Sequence, residues 1–181
     1  MTNYEKIYEI AADNYGLITS AQAKASGISD KEMCVIAKRG RMNRLGRGVY
    51  KIRDYIPVKN DPFAEAVALV GDGSYLYGES VLGMLDLMPF NPNYIYVATH
   101  KRVRRKLPRH IRLVNSVHFH AYHYDGIPSQ KVHDAIKSCI NKVESSKLTG
   151  AVKNARRQGY ITAQEQRSLT REINKCKLQT V

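Results

Sequence analysis

The sequence has few acidic residues, few cysteines and no long apolar run. Sixteen Asp and Glu stand against 29 Lys and Arg, so the 181-residue chain has a formal net charge of +13. Its cysteines, at 34, 139 and 176, are too sparse for a disulfide framework, and we expect reduced core thiols in a cytoplasmic protein. No stretch approaches the roughly 18 apolar residues of a membrane-spanning helix. The first 15 residues contain three acids where a signal peptide is apolar.

Catalytic motifs are also missing. The chain has no Gly-x-Ser-x-Gly sequence and no phosphate-binding loop of the Gly-Lys-Ser/Thr type. A metal-dependent nuclease needs clustered carboxylates. The acids of the middle segment are instead scattered over predicted helices and turns at Glu65, Asp72, Glu79 and Asp86. We therefore expect no enzyme and no cofactor, with a DNA-targeted, nuclease-like enzyme as one alternative.

Three histidines near residue 120 raise the question of a zinc site. On a strand, His118 and His120 share a face while His123 points to the other side. No cysteine lies near them in sequence, and Phe119 and Tyr122 interleave with them, which is typical of a half-buried strand. The pattern favours a structural strand, and no metal site is expected.

The positive charge is concentrated in three blocks, residues 1–55, 100–112 and 137–181, around an acidic and apolar middle. A blocked positive field favours a polyanion, most commonly nucleic acid. An anionic membrane surface is the alternative, but no long basic amphipathic helix stands out and no membrane partner is expected.

The segment from Leu17 to Arg53 is the most informative. It predicts two short helices separated by Gly27, the second over Asp30–Arg39, and then two strands around a Gly-Arg-Gly tip at residues 46–48. Nine Lys or Arg but only two acids lie between Lys24 and Arg53. Short helices, a glycine turn and a basic hairpin are typical of a winged helix-turn-helix, which places its second helix in the major groove of DNA.

Individual DNA contacts follow from this interpretation. The early residues of the second helix reach base edges, whereas later basic residues contact phosphates. An arginine at the hairpin tip can enter a narrow minor groove. The predicted DNA-binding residues are Ser29, Lys31, Lys38, Arg39, Arg41, Arg44, Arg47 and Lys51. The alternatives are a solvated basic face on a small helical domain and an ordinary hairpin.

A second basic segment links two predicted strands. It is a candidate second polyanion site, for a DNA backbone or for RNA, or else a solvated loop that aids solubility. Its basic residues are Lys101, Arg102, Arg104, Arg105, Lys106 and Arg109.

Domain organisation follows from composition. We predict an α+β fold with a winged helix-turn-helix over residues 1–53 and a linker over 54–61, where Pro57 and polar residues interrupt the pattern. A mixed α/β domain that ends in helices is predicted over residues 62–181.

The chain resembles the AbiE-type antitoxins of type IV toxin–antitoxin systems, which are linked to abortive phage infection. The run GLITSAQAKASGIS with RGRMNRLGRGVYKI is similar to their N-terminal winged helix. The runs YLYGESVLGMLDL, IYVATHKRVRRKLP, IRLV, GIPSQKVHDAI and ARRQGYIT are similar to their second domain and helical end.

The resemblance implies two roles. The first domain would bind inverted repeats upstream of its own operon and repress it. The second would counter a nucleotidyltransferase-like toxin, without requiring a stable complex with it. The alternative is a winged-helix transcriptional regulator whose C-terminal domain senses a ligand or a partner.

Overall fold

The structure is a computed structural model that describes residues 2–91, 93–116 and 122–179. Its elements combine helices with two separate sheets, so the expected α+β class is confirmed. In chain order the elements are α1 (Asn3–Ala12), β1 (Leu17–Thr19), α2 (Ser20–Ala25), α3 (Asp30–Lys38), β2 (Met42–Gly46), β3 (Val49–Ile52), α4 (Asp61–Val70), β4 (Tyr75–Leu76), α5 (Glu79–Met84), β5 (Ile95–Thr99), β6 (Ile111–Asn115), β7 (Tyr122–Tyr124), β8 (Ile127–Ser129), α6 (Val132–Cys139), α7 (Ser145–Arg157) and α8 (Ala163–Gln179).

The first compact unit runs from the start of the described chain to Asp72 and includes Val103–Leu107. Its three strands form an antiparallel sheet in the order β1-β3-β2. Ile7, Ile18, Met33 and Tyr50, each at most 2% exposed, centre a core that α1, α2, α3 and the sheet share. Each of the three helices therefore packs one face against the core and exposes the opposite face to solvent or to a ligand.

The second unit comprises the remaining described residues and has a five-stranded sheet in the order β6-β5-β4-β8-β7. β5 and β6 pair in parallel with Ile95 opposite Ile111, whereas β4 and β5 are antiparallel. Apolar residues spaced along α6, α7 and α8, including Ile136, Leu148 and Leu169, are fully buried. The predicted helical C-terminal part is confirmed.

The domain boundary differs from the sequence-based one. The sequence places a boundary at Arg53 and a linker over 54–61, but the first unit continues through α4 to Asp72. An Asp followed by Pro62 is a pattern that places Asp61 at the N-cap, but Asp61 is the first residue of α4 and Asn60 occupies the N-cap position without a side-chain capping hydrogen bond. The Asp61 carboxylate is engaged instead by Lys51 of β3. This ion pair attaches α4 to the hairpin.

Two further expectations are corrected or restricted. Cys34 is exposed rather than part of the core, with its Sγ 3.7 Å from the Tyr50 hydroxyl, although Cys139 is buried as expected. Of the three histidines considered for zinc, His118 and His120 lie outside the described residues. Within the described part of the chain, no group of three or more His, Cys, Asp or Glu is placed to hold a metal ion. No described helix combines the length and the apolar character that a membrane crossing requires.

Candidate nucleic-acid interface

The turn between α2 and α3 fixes the angle of the two helices. Gly27 has a φ of +79°, a conformation that glycine adopts without steric cost. The amide of the next residue, Ile28, donates to the Ala23 carbonyl at 2.9 Å, and the Ile28 side chain is buried. The turn therefore anchors the start of α3 to the end of α2.

α3 begins at a capping box formed by Ser29 and Glu32. The Glu32 amide donates to Ser29 Oγ at 3.3 Å, and Ser29 Oγ donates in turn to Glu32 Oε2 at 2.7 Å. The backbone amide of Ser29, followed by its side chain, lowers the pKa of the Glu32 carboxyl, so this group stays ionised. The Ser29 hydroxyl, predicted to contact DNA, thus has an intramolecular role at the helix terminus.

The two sides of α3 differ sharply in character. Met33 is fully buried, and Ile36 and Ala37 pack partly against the same core. Lys31, Lys38 and Arg39 are exposed on the opposite side, as predicted for a DNA-facing helix. The structure therefore brings three of the predicted contacts together on one helix face.

The hairpin of β2 and β3 presents Arg47 at an exposed tip. Gly48 has a φ of +72°, and its carbonyl accepts a hydrogen bond from the Ser20 amide at 2.8 Å, which ties the hairpin to the start of α2. Arg44 is exposed on β2, where its Nε donates to the Gly46 carbonyl at 3.3 Å and its guanidinium lies 6.0 Å from the Tyr50 ring centroid. Both predicted arginines are therefore on the surface of the hairpin.

Arg41 has an aromatic partner that the sequence analysis missed. Its guanidinium lies 4.9 Å from the centroid of the Tyr4 ring on α1. This cation–π contact leaves the planar guanidinium charged and restricts its orientation. No spacing rule connects the two residues, because Tyr4 lies on α1 whereas Arg41 lies between α3 and β2, 37 positions further along the chain.

Lys51 does not belong with the exposed cations. Its Nζ lies 2.6 Å from Asp61 Oδ2 and 2.7 Å from Glu65 Oε1, and the lysine side chain is only 16% exposed. Desolvation is the largest single influence and lowers the pKa of Lys51, but the two carboxylates together outweigh it and raise that pKa. The ammonium of Lys51, which the sequence-based interpretation assigns to DNA binding, is thus engaged in an ion pair with α4.

The second basic segment is divided between the two units. Arg104, Arg105 and Lys106 belong to the first unit, whereas the other predicted cations, Lys101, Arg102 and Arg109, belong to the second. All six side chains are exposed. A Cβ atom added at Gly71 would lie 2.8 Å from Arg105 Nη2, so the Arg105 guanidinium lies beside the C-terminal end of α4. A cation there is favoured by the helix dipole.

Chemically, the first unit presents an exposed basic helix face and an exposed arginine at a hairpin tip. Guanidinium and ammonium groups are donors without acceptors, so they suit phosphate oxygens and the acceptor atoms of guanine.

No protein-family model and no curated protein matches the chain. A solved structure, that of the RV2827C protein from Mycobacterium tuberculosis, aligns with a TM-score of 0.40 and 11% sequence identity, over 95% of this chain and 82% of that one.

Proposed function

We propose that the first unit is a winged helix-turn-helix that binds duplex DNA. In this proposal α3 lies in the major groove and the β2–β3 hairpin is the wing, with Arg47 in the adjacent minor groove. The element order α1-β1-α2-α3-β2-β3 supports the assignment, as does the glycine turn between α2 and α3.

One observation carries the proposal. The exposed side of α3 and the hairpin carry basic side chains, and no ion pair to an acidic residue is found for them in the described part of the chain. These cations are Lys31, Lys38, Arg39, Arg44 and Arg47. Unpaired cations on one helix and its neighbouring hairpin can replace the counterions condensed on DNA.

The biological role that we propose is repression of its own operon combined with antitoxin activity. The resemblance to AbiE-type antitoxins supports both parts. The second unit would counter a nucleotidyltransferase-like toxin, and a stable toxin complex is not required. The separate core and the separate sheet of the second unit are consistent with a role distinct from DNA binding.

The test is a gel-shift series with the DNA upstream of the gene at increasing salt. If each of the five cations, whether at a phosphate or in a groove, displaces one counterion condensed on DNA, the logarithm of affinity should fall against the logarithm of salt concentration with a slope of about −4 to −5. Arg47→Ala should weaken binding by about 1–2 kcal/mol and make the slope shallower by about one.

Arg156→Ala is the matched control, because Arg156 is an exposed arginine at the end of α7 in the second unit. This variant should leave affinity and slope unchanged. A flat salt dependence, or wild-type affinity in Arg47→Ala, would contradict the proposed wing contact.

A further inference from the structure

An exposed apolar side chain, Val35, lies in the middle of the basic face of α3. It is 41% exposed, whereas Met33, two residues earlier, is fully buried. At 3.6 residues per turn the two residues lie about 160° apart around the helix axis, and Val35 lies within about 60° of Lys31, Lys38 and Arg39. The apolar group is thus surrounded by the cations proposed to meet DNA.

Helix stability does not explain a valine at this position. A β-branched residue is a weaker helix former than alanine or lysine, because the preceding turn restricts its side chain. Val35 is not part of the described core of the first unit. Its side chain lines a surface groove that Tyr4 of α1 borders on one side, and its exposed part is accessible to a molecule that approaches this face.

We propose that Val35 contacts the C5-methyl group of a thymine in the major groove and so contributes to sequence specificity. This inference rests on the proposed DNA binding by α3. Thymine alone presents a methyl group at the major-groove edge, and valine has neither donor nor acceptor for the polar atoms that the other bases present there. A polar base edge buried against Val35 would lose its hydrogen bonds to water, which disfavours that base.

The flanking cations set the depth at which Val35 meets the bases. Lys31 and Arg39 lie one turn before and one turn after it. Their long side chains reach outward to phosphates, while the short valine side chain ends near the helix surface. Phosphate contacts position the helix, and Val35 then discriminates among the bases beneath it.

The experiment uses the full-length protein and the upstream DNA region that it protects in a footprint. Each thymine of that region is replaced singly by deoxyuridine, which keeps base pairing and lacks only the methyl group. For the wild-type protein, deoxyuridine at one thymine position in each half-site should lower the affinity about fourfold. This corresponds to about 0.8 kcal/mol, the value for burying one methyl-sized group. In Val35→Ala that position should no longer matter.

Val58→Ala is the matched control, because Val58 is 50% exposed and lies in the segment between β3 and α4 rather than on α3. It should keep the wild-type response to deoxyuridine. Val35→Thr, which keeps the β-branched shape and one methyl group, should give an intermediate response, and it provides a second reading if Val35→Ala folds poorly.

Three results would overturn this inference while leaving the proposed DNA binding intact. Wild-type binding that is insensitive to deoxyuridine at every position rules out a methyl contact. A sensitive position that persists unchanged in Val35→Ala and Val35→Thr assigns the contact to another residue. A change in the sedimentation of the free protein caused by Val35→Ala identifies the residue as a contact between copies of the chain. If the wild type binds no duplex at all, the proposed function fails as well, and that outcome differs from binding without methyl sensitivity.

Discussion

Replacing Lys51 by methionine should destabilise the first unit without weakening its contact with DNA. The substitution keeps an unbranched, flexible side chain that is one atom shorter, and it removes the charge. It leaves the Asp61 carboxylate, whose side chain is only 6% exposed, without its cation. Asp61 keeps two weaker donors, the Tyr55 hydroxyl at 3.3 Å and the Val58 amide at 3.2 Å.

The expected loss is about 2 kcal/mol. Removing one partner of a fully buried ion pair costs about 3–5 kcal/mol. We expect less than this range for Lys51→Met, because Asp61 keeps two hydrogen bonds. In addition, the side chain of Glu65, the second partner of Lys51, is 30% exposed and partly solvated. The double variant Lys51→Met/Asp61→Asn should be less destabilised than the sum of the two single variants.

The stability that Lys51 contributes should decrease at high pH. The pKa of Lys51 in the folded protein is raised above its ordinary value of 10.5, mainly because the attraction of Asp61 and Glu65 outweighs desolvation. A raised lysine pKa contributes stability that is fully present below pH 10.5 and is lost as the pH rises through the folded value. The difference between wild type and Lys51→Met should therefore be constant near neutral pH and shrink in strong alkali.

Hydrogen exchange of peptides from residues 42–72 is the suitable assay, because two units need not unfold together and a single midpoint would mix them. Lys24→Met, which removes an exposed lysine from α2, is the control and should leave exchange unchanged. Wild-type exchange in Lys51→Met would refute the reasoning. The reasoning would also be refuted if the salt dependence of DNA binding became shallower by about one in Lys51→Met, because that result would assign Lys51 to a phosphate.

One further prediction concerns an ion pair of the second unit, and another separates the two proposed roles. The pKa of Glu165 is lowered to about 2, first by the hydrogen bond from Lys131 Nζ at 2.8 Å and then by the Thr162 amide. Its contribution is therefore present above the ordinary value of 4.5 and lost as the pH falls toward 2. Glu165→Gln, which can keep the capping hydrogen bonds with Thr162, should destabilise α8 by about 1 kcal/mol at neutral pH and by almost nothing in strong acid, as hydrogen exchange of peptides from α8 at several pH values will measure. Separately, a full-length variant with Lys38, Arg39 and Arg47 changed to alanine should lose operator binding. It should still restore growth to cells that make the proposed nucleotidyltransferase-like toxin. If a folded variant does not restore growth, the first unit takes part in neutralising the toxin.

Local signals made the helix starts predictable. The three-residue spacing of Thr2/Glu5, Thr19/Gln22 and Ser29/Glu32 predicts a capping box at the start of α1, α2 and α3, and all three boxes form. Such contacts depend on the chain within one helical turn, so spacing alone identifies them. The two hairpin strands were predictable for the same reason, since the glycines at residues 46 and 48 mark the turn between them.

Short strands with distant partners were not predictable. β1 is three residues long, and its buried Leu17 and Ile18 pair with Lys51 and Tyr50 of β3. β8 contains Pro128, which favours a turn in a sequence-based interpretation. β8 pairs along one side with β7, and its pairing with β4 is through Ser129. Both strands exist because tertiary partners are present, and three residues are too few for a periodic pattern.

The candidate site shows the same limit in electrostatic terms. Counting basic residues between Lys24 and Arg53 correctly identifies a positive segment, but a net charge does not tell which cations are available to a ligand. Lys51 is held by carboxylates 10 and 14 residues further along the chain, in a helix that the sequence assigns to another domain. The ion pair neutralises the charge of Lys51. It also joins α4 to the hairpin, so the first unit extends beyond the predicted boundary at Arg53. The number of counterions released from DNA in a salt titration should therefore be compared with the number of unpaired cations on α3 and the hairpin. A lysine that is already held by carboxylates does not replace a counterion condensed on a phosphate.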